Sequence, residues 1–251
     1  MLPYYNKKIR GQNSLMNIIK CDWSSPQVIS IVGGGGKTSF IYTLADELVE
    51  NGKKTIITTT THMRVPKKGL SSNLNEILDS LNQYGCAVAG QNPFRKRMCT
   101  VDDDVYKEMC KEADFVLVEA DGAKRLPVKA PDLSHEPVIP ANNTYTVAIA
   151  GMSAIGSPME EVCFRLEQIK KIVEIEDFTR PLTEELLAKI LVGGYQVDTY
   201  ILNQVDSDEV LKKAEQVASY YPDKEFIATS FYTNREGKTP ENLFIEKTFN
   251  K

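Results

Sequence analysis

Val28-Ile29-Ser30-Ile31-Val32-Gly33-Gly34-Gly35-Gly36-Lys37-Thr38-Ser39 is the stretch on which the reading of this chain turns. Its first five residues are β-branched except for one serine and stop at four glycines, which predicts a buried strand running into a special turn. From Thr38 to Glu50, Phe40, Ile41, Leu44, Ala45 and Leu48 recur at helical spacing, and Asn51-Gly52 closes the helix. Glycines permit the dihedrals that turn successive N–H groups toward one point. The helix N-terminus adds partial positive charge there, and Lys37 a full one. The expected phosphate-binding residues are therefore Gly33, Gly34, Gly35, Gly36, Lys37, Thr38 and Ser39, with the Thr38 hydroxyl placed for Mg²⁺. A glycine-rich turn that binds nothing is the competing reading. It is weakened by the roughly 0.5–1 kcal/mol that each glycine costs against alanine in ordered structure.

Outward from this point, apolar strands and helices alternate. Thr55–Thr59, Cys86–Ala89, Phe115–Val118, Thr146–Ile149, Tyr200–Leu202 and a last strand Phe226–Ala228 are separated by helical spacings, among them Ile77-Leu78-Leu81, Val105-Met109-Cys110 and Asp208 to Tyr220. Such alternation predicts an α/β fold, a three-layer, mostly parallel sheet with helices on both faces. Residues 158–194 read instead as a helical insertion broken near Pro181, with Thr183 capping the second piece. The expected division is an N-terminal extension, 1–27, and a P-loop α/β domain, 28–251. In such sheets ligands bind beyond the carboxyl ends of the strands.

Composition narrows the classes. The 251 residues, 42% hydrophobic and 25% charged, are ordinary for a globular chain and exclude disorder. A net charge of −4 argues against a dedicated nucleic-acid binder. No apolar run approaches the roughly 20 residues of a membrane span, and the first residues lack the apolar core of a secretion signal. The cytoplasm is the expected compartment. Cys21, Cys86, Cys99, Cys110 and Cys163 form no C-x-x-C pair, so neither a disulfide framework nor a thiolate zinc site is indicated. Cys86 and Cys163 sit among apolar residues, where thiols are usually inert rather than carriers of sulfur or selenium. With His62 and His135 as the only histidines, a multi-histidine metal centre is excluded within one chain. Trp23 is expected against the sheet edge, and Arg95-Lys96-Arg97 in a solvated loop.

Glu119 and Asp121 close the strand Phe115–Val118, where a carboxylate commonly holds Mg²⁺ opposite the loop hydroxyl. Either can take that role, and Asp121-Gly122 can equally be a simple turn. Thr58 to Thr61 end the second strand; the first two read as strand residues, and Thr60 and Thr61 as either structural or ligand-facing. Asn203-Gln204-Val205-Asp206 follows Tyr200–Leu202 and resembles the N-[KQ]-x-D element by which GTPases read guanine. Asp206 can also serve merely to cap the next helix. GTP or ATP is thus the expected ligand, with Asn203 and Asp206 as base-side residues. The long pattern G-x-x-x-x-G-K-[ST] would need glycine where Ile31 stands. What remains, G-x-x-G-K-T, resembles the tighter loop of Mur-type peptide ligases as much as that of GTPases.

The tract from Asp121 to Pro140 carries Lys124, Arg125, Lys129, His135 and Glu136 between prolines. Composition alone reads it as a surface loop with solvated charges; its cations could also approach the phosphates. The runs VGGGGKTS (32–39), TTTT (58–61), VEADGA (118–123) and HEPVIP (135–140) together resemble the YqeC family. Its members are described as accessory proteins of selenium-dependent molybdenum hydroxylases. The resemblance implies a P-loop NTPase-like protein that helps such an enzyme or its cofactor mature, with a maturation protein as partner. It carries over Gly33 to Thr38, Glu119, Asp121, Gly122, Lys129, His135, Glu136 and Asn203 to Asp206. Arg165 fits an F-R pair of the family or is a helix-surface charge. Lys37, Asp121, Glu119 and Lys129 are the expected catalytic residues, and Thr38, Asp121 and Glu119 the metal ligands. The reading is a slow, Mg²⁺-dependent GTPase or ATPase. A small-molecule kinase or ligase, or a non-hydrolysing nucleotide-gated scaffold, are the alternatives.

Overall fold

The glycine run does end a buried strand, and the strand lies in the middle of the sheet. The computed structural model describes residues 14–66, 69–94, 97–231 and 247–249. In chain order its strands are β1 (Gln27–Gly33), β2 (Thr55–Thr59), β3 (Met63–Arg64), β4 (Leu70–Ser71), β5 (Cys86–Ala89), β6 (Gln91–Phe94), β7 (Arg97–Cys99), β8 (Phe115–Glu119), β9 (Val128–Lys129), β10 (Tyr145–Gly151), β11 (Cys163–Phe164), β12 (Thr199–Asn203), β13 (Phe226–Ala228) and β14 (Lys247–Phe249). The helices are α1 (Leu15–Ile18), α2 (Lys37–Glu50), α3 (Leu74–Tyr84), α4 (Asp103–Glu112), α5 (Met159–Val162), α6 (Leu166–Val173), α7 (Glu184–Gly194) and α8 (Asp208–Ser219).

Nine strands form one sheet in the order β14-β13-β12-β10-β1-β8-β2-β5-β4. Every pairing in it is parallel except β13 with β14. The side-chain period of two sends neighbouring residues to opposite faces. Ile29, Ile31, Phe115 and Leu117 join Phe40, Ile41, Leu44 and Leu48 of α2 in one core. Val28, Val32, Val116 and Val118 join Ile77 and Leu81 of α3, Met109 of α4 and Leu186, Leu187 and Leu191 of α7 in the other. This is the expected three-layer α/β architecture. Both faces of β1 and β8 are covered, which is why these strands read as continuous apolar runs.

The order also locates a crevice. β2, reached from β1 through α2, lies on the β8 side of β1, while the chain after β10 builds β12 and β13 on the other side. The carboxyl ends of β1, β8 and β10 therefore meet where the winding reverses, the usual ligand crevice of such sheets.

Residues 158–194 hold α5, α6 and α7, interrupted by residues 174–183. Thr183 caps α7 as expected, its Oγ1 accepting the Leu186 N–H at 3.3 Å. Several details depart from expectation. Phe226–Ala228 is followed by a further strand, β14. β11 pairs with β9 in a two-residue ribbon, too short for any periodic signal. Trp23 packs on Phe115 with ring centroids 5.6 Å apart. It thus covers the start of an interior strand rather than the sheet edge. Arg97 is exposed in β7; Arg95 and Lys96, and residues 1–13 of the expected extension, lie outside the described residues.

Candidate functional site

The glycine turn works by closeness as well as by dihedral. Gly35 has φ +68°, and a Cβ there would lie 2.1 Å from the Gly151 amide nitrogen, so the turn can touch the end of β10 only with glycine. Its first three amides are held by the protein. Gly33 N–H donates to Asp121 Oδ2 at 3.0 Å, Gly34 N–H to Ile149 O at 2.7 Å, and Gly35 N–H to Leu126 O at 3.2 Å. The amides open to an anion are those of Gly36, Lys37, Thr38 and Ser39, at the start of α2, where no intrahelical acceptor exists. The anion-facing part of the seven expected residues is thus the helix start.

The two carboxylates at the end of β8 have different surroundings. Glu119 Oε2 accepts the Thr38 hydroxyl at 2.8 Å. Burial pushes its carboxyl up, reinforced by Asp121 and opposed by Lys37, the Thr38 hydroxyl and Arg97. Asp121 is fully buried and faces Lys37, whose Nζ lies 3.1 Å from Oδ1 as an ion pair off the hydrogen-bond direction. The same ammonium donates to Gly33 O at 2.6 Å. Lys129 Nζ stands 3.0 Å from the other Asp121 oxygen, which also receives the Tyr195 hydroxyl at 3.2 Å. Desolvation, then the Asp121 charge, pushes the Tyr195 phenol well above its ordinary value, so it stays a donor.

From Lys129 the charges continue to alternate. Lys129 Nζ reaches Glu136 Oε2 at 2.6 Å, Arg165 Nη2 reaches the same oxygen at 2.9 Å, and Arg165 Nη1 reaches Asp132 at 3.1 Å. A charge ladder, Lys37–Asp121–Lys129–Glu136–Arg165–Asp132, buried over its first three members and half-buried over its last three, therefore ties the phosphate-type turn to the start of α6. The tract after Asp121 is a loop of solvated charges only in part: Lys124 and Arg125 are exposed, whereas Val128, Lys129, Ala130 and Pro131 are buried. Arg165 is half-buried and pairs with the half-buried Glu136 and Asp132. His135 and His62 are exposed.

The N-Q-V-D element sits beside the turn. Asn203 Nδ2 donates to Gly35 O at 2.7 Å and its Oδ1 accepts the Thr229 hydroxyl at 3.2 Å. Asp206 is hydrogen-bonded by the Ser230 hydroxyl, and Val205 N–H donates to Thr229 O at 3.0 Å. Gln204, at φ +67°, accepts from Ser153 at 2.6 Å. Thr58 and Thr59 bond Ala89 O and Glu119 O, as structural strand residues do. Thr60 bonds Val138 O, whereas the Thr61 hydroxyl is buried without a partner. Burial pushes the Cys86 and Cys163 thiols up to about 12, as inert packing residues require. Among the described residues no helix is long and apolar enough to cross a membrane.

Residues 29–167 match the family model described as YqeC protein. The chain belongs to the YqeC family. The uncharacterized protein YqeC of Escherichia coli (strain K12) is 34% identical over an alignment of 148 positions that covers 53% of this chain and 54% of that protein. The chain thus spans about half the length of this curated relative. The matched region contains every member of the charge ladder and stops two residues after Arg165; Tyr195, Asn203 and Asp206 lie beyond it. Likenesses to solved structures are distant. Hydrogenase maturation factor HypB from Archaeoglobus fulgidus has a TM-score of 0.38 at 13% identity, over 82% of this chain and 81% of that one. The signal recognition particle receptor FtsY from Elizabethkingia anophelis in complex with GDP has a TM-score of 0.41 at 14% identity, over 82% and 57%. At such scores the likeness bears on neither ligand nor activity.

Proposed function

We propose that the protein binds a Mg²⁺–nucleoside triphosphate, preferring guanine, and hydrolyses it slowly in the cytoplasm. Its task is to assist the maturation of a molybdenum hydroxylase or its cofactor, through a maturation partner. The observation that carries the nucleotide reading is one of convergence. Four open amides at the start of α2, the Lys37 ammonium and the Thr38–Glu119 pair lie together at the crevice of the sheet. A polyanion is the ligand that such a set of donors favours.

Mg²⁺ fits the oxygens present. A hydroxyl and a carboxylate already in contact are the hard donors this ion takes, so Thr38 and Glu119 would hold it. Bound there, it would neutralise charge on the outer phosphates. Lys37 would exchange Asp121 for phosphate, and Asp121 would keep Lys129, Tyr195 and Gly33 as partners. With its oxygens so occupied, Asp121 is a positioning group rather than a free base. That, and the sealing of Lys129 between two carboxylates, supports slow turnover. The guanine preference rests on Asp206, which Ser230 orients beside the Asn203 anchor. The maturation role rests on the family resemblance alone.

The test is a thermal-shift panel of ATP, GTP, CTP and their diphosphates with Mg²⁺, repeated on Asp206→Ala. Ligand at a hundred times its Kd adds about 2.7 kcal/mol of stability, which is readily seen. A guanine-specific shift that disappears in Asp206→Ala is the expected result. A shift with ATP alone would retire the base reading, and no shift with any triphosphate would retire the nucleotide.

A further inference from the structure

Between the charge ladder and the glycine turn, the chain makes a reverse turn over Ala123–Leu126, closed by Leu126 N–H to Ala123 O at 2.9 Å. Its two central residues, Lys124 and Arg125, both have positive φ, +48° and +68°. That is the mirror-image turn class, whose centre normally takes Gly, Asn or Asp because other side chains are strained there. The sequence instead places two long cations in succession, and strain of this kind collects at functional sites.

Among the described residues no carboxylate neutralises these cations. Both are exposed, and neither has an ion-pair partner among the described residues. Lys124 Nζ rests 4.8 Å from the centre of the Phe164 ring, around which Lys129 and Arg165 also gather at 6.0 and 5.5 Å. The turn is fastened to the phosphate-type loop. The next residue, Leu126, accepts the Gly35 N–H, and Pro127 accepts the Gly151 N–H at 2.8 Å. Around this point Lys37, Lys124, Arg125, Lys129 and Arg165 outnumber Glu119, Asp121, Asp132 and Glu136. The cations are in excess by one, and the two that are exposed are Lys124 and Arg125, in a chain whose net charge is −4.

We propose that the Lys124–Arg125 turn is an anion-reading site at the mouth of the loop. It receives a phosphate-like oxyanion: the outer phosphate of the nucleotide, or the acidic group of a co-substrate brought beside it. The inference rests on the nucleotide reading and assigns the cations that reading leaves open. Lys129, sealed between Asp121 and Glu136, does not fill this place.

The experiment uses the full chain with Lys124→Asn and Arg125→Gly together, which suits the turn while removing both charges. The thermal midpoint should stay level or rise. In calorimetric titrations with Mg²⁺, diphosphate affinity should hold while triphosphate affinity drops by about tenfold or more, the scale of a lost charge-assisted contact. If the anion belongs to a co-substrate, the triphosphate-to-diphosphate ratio stays and the binding of inorganic phosphate to the diphosphate-loaded protein drops by a similar factor. Either loss supports the site, and the pair of titrations tells the two sources apart. The site is overturned if both affinities stay within about twofold of the unsubstituted chain. An unsubstituted chain that bound no nucleotide would first end the nucleotide reading, and this inference with it. Lys124→Gln with Arg125→Gln, which keeps side-chain length, reads the same contrast should the first pair misfold.

Discussion

Lys129→Met should cost about 3–5 kcal/mol of folding stability, the usual penalty for removing one member of a buried ionic pair. The substitution keeps the length of the side chain, so packing is nearly preserved and charge is what changes. Lys129 stands between Asp121 and Glu136, with no exposed surface of its own. Without it, the Asp121 and Glu136 carboxylates face one another, each left with one cation on its far side, Lys37 and Arg165. Typical domains have only about 5–15 kcal/mol in total, so urea unfolding should show the loss plainly. Breaking the exposed Lys189–Glu185 pair should by contrast leave the urea midpoint nearly unmoved. Neutralising Asp121 and Glu136 as well, to Asn and Gln, should recover part of the loss, because the facing like charges rather than the missing contact are what hurt. If Lys129→Met behaved like the surface pair, the ladder would not be what fixes the tract to the sheet.

Lys37→Ala is expected to act on binding far more than on folding. Asp121 would retain Lys129, the Gly33 amide and the Tyr195 hydroxyl, so no uncompensated charge is left behind. The ammonium that should transfer to the phosphates is gone, however, and a hydrogen bond to a charged group contributes about 1.5–3 kcal/mol. Triphosphate Kd should therefore rise by about ten- to a hundredfold, with the urea midpoint little moved. Equal affinity in the two proteins would mean that the phosphate lies elsewhere.

The sheet was legible because both its faces are covered. Runs such as Val28–Val32 and Phe115–Val118 need no alternation to be read as buried strands. The turn was legible because four glycines before Lys-Thr have few other uses. What remained hidden depended on partners distant in the chain. Glu119 and Asp121 are two residues apart and project to one face, so no local pattern ranks them. The distinction arises only because Thr38 opens α2 beside one while Lys37 folds back onto the other. Lys129, flanked by prolines two residues away on either side, carries the signature of solvated loop chemistry; its burial follows from Asp121 and Glu136. Arg165 stood out only as one half of an F-R pair, and Asp132, Tyr195 and the carbonyls of Leu126 and Pro127 gave no signal of their own, since their contacts span many residues or involve only backbone.

Trp23 is the only tryptophan, and it rests on Phe115, the first residue of β8, whereas Glu119 closes the far end of that strand. Four residue steps of extended chain separate the two places by about 13 Å. Intrinsic fluorescence excited at the indole will therefore follow melting of the sheet's floor and stay largely silent when a ligand arrives at its rim. Unfolding and occupancy can be recorded on one sample without either signal contaminating the other.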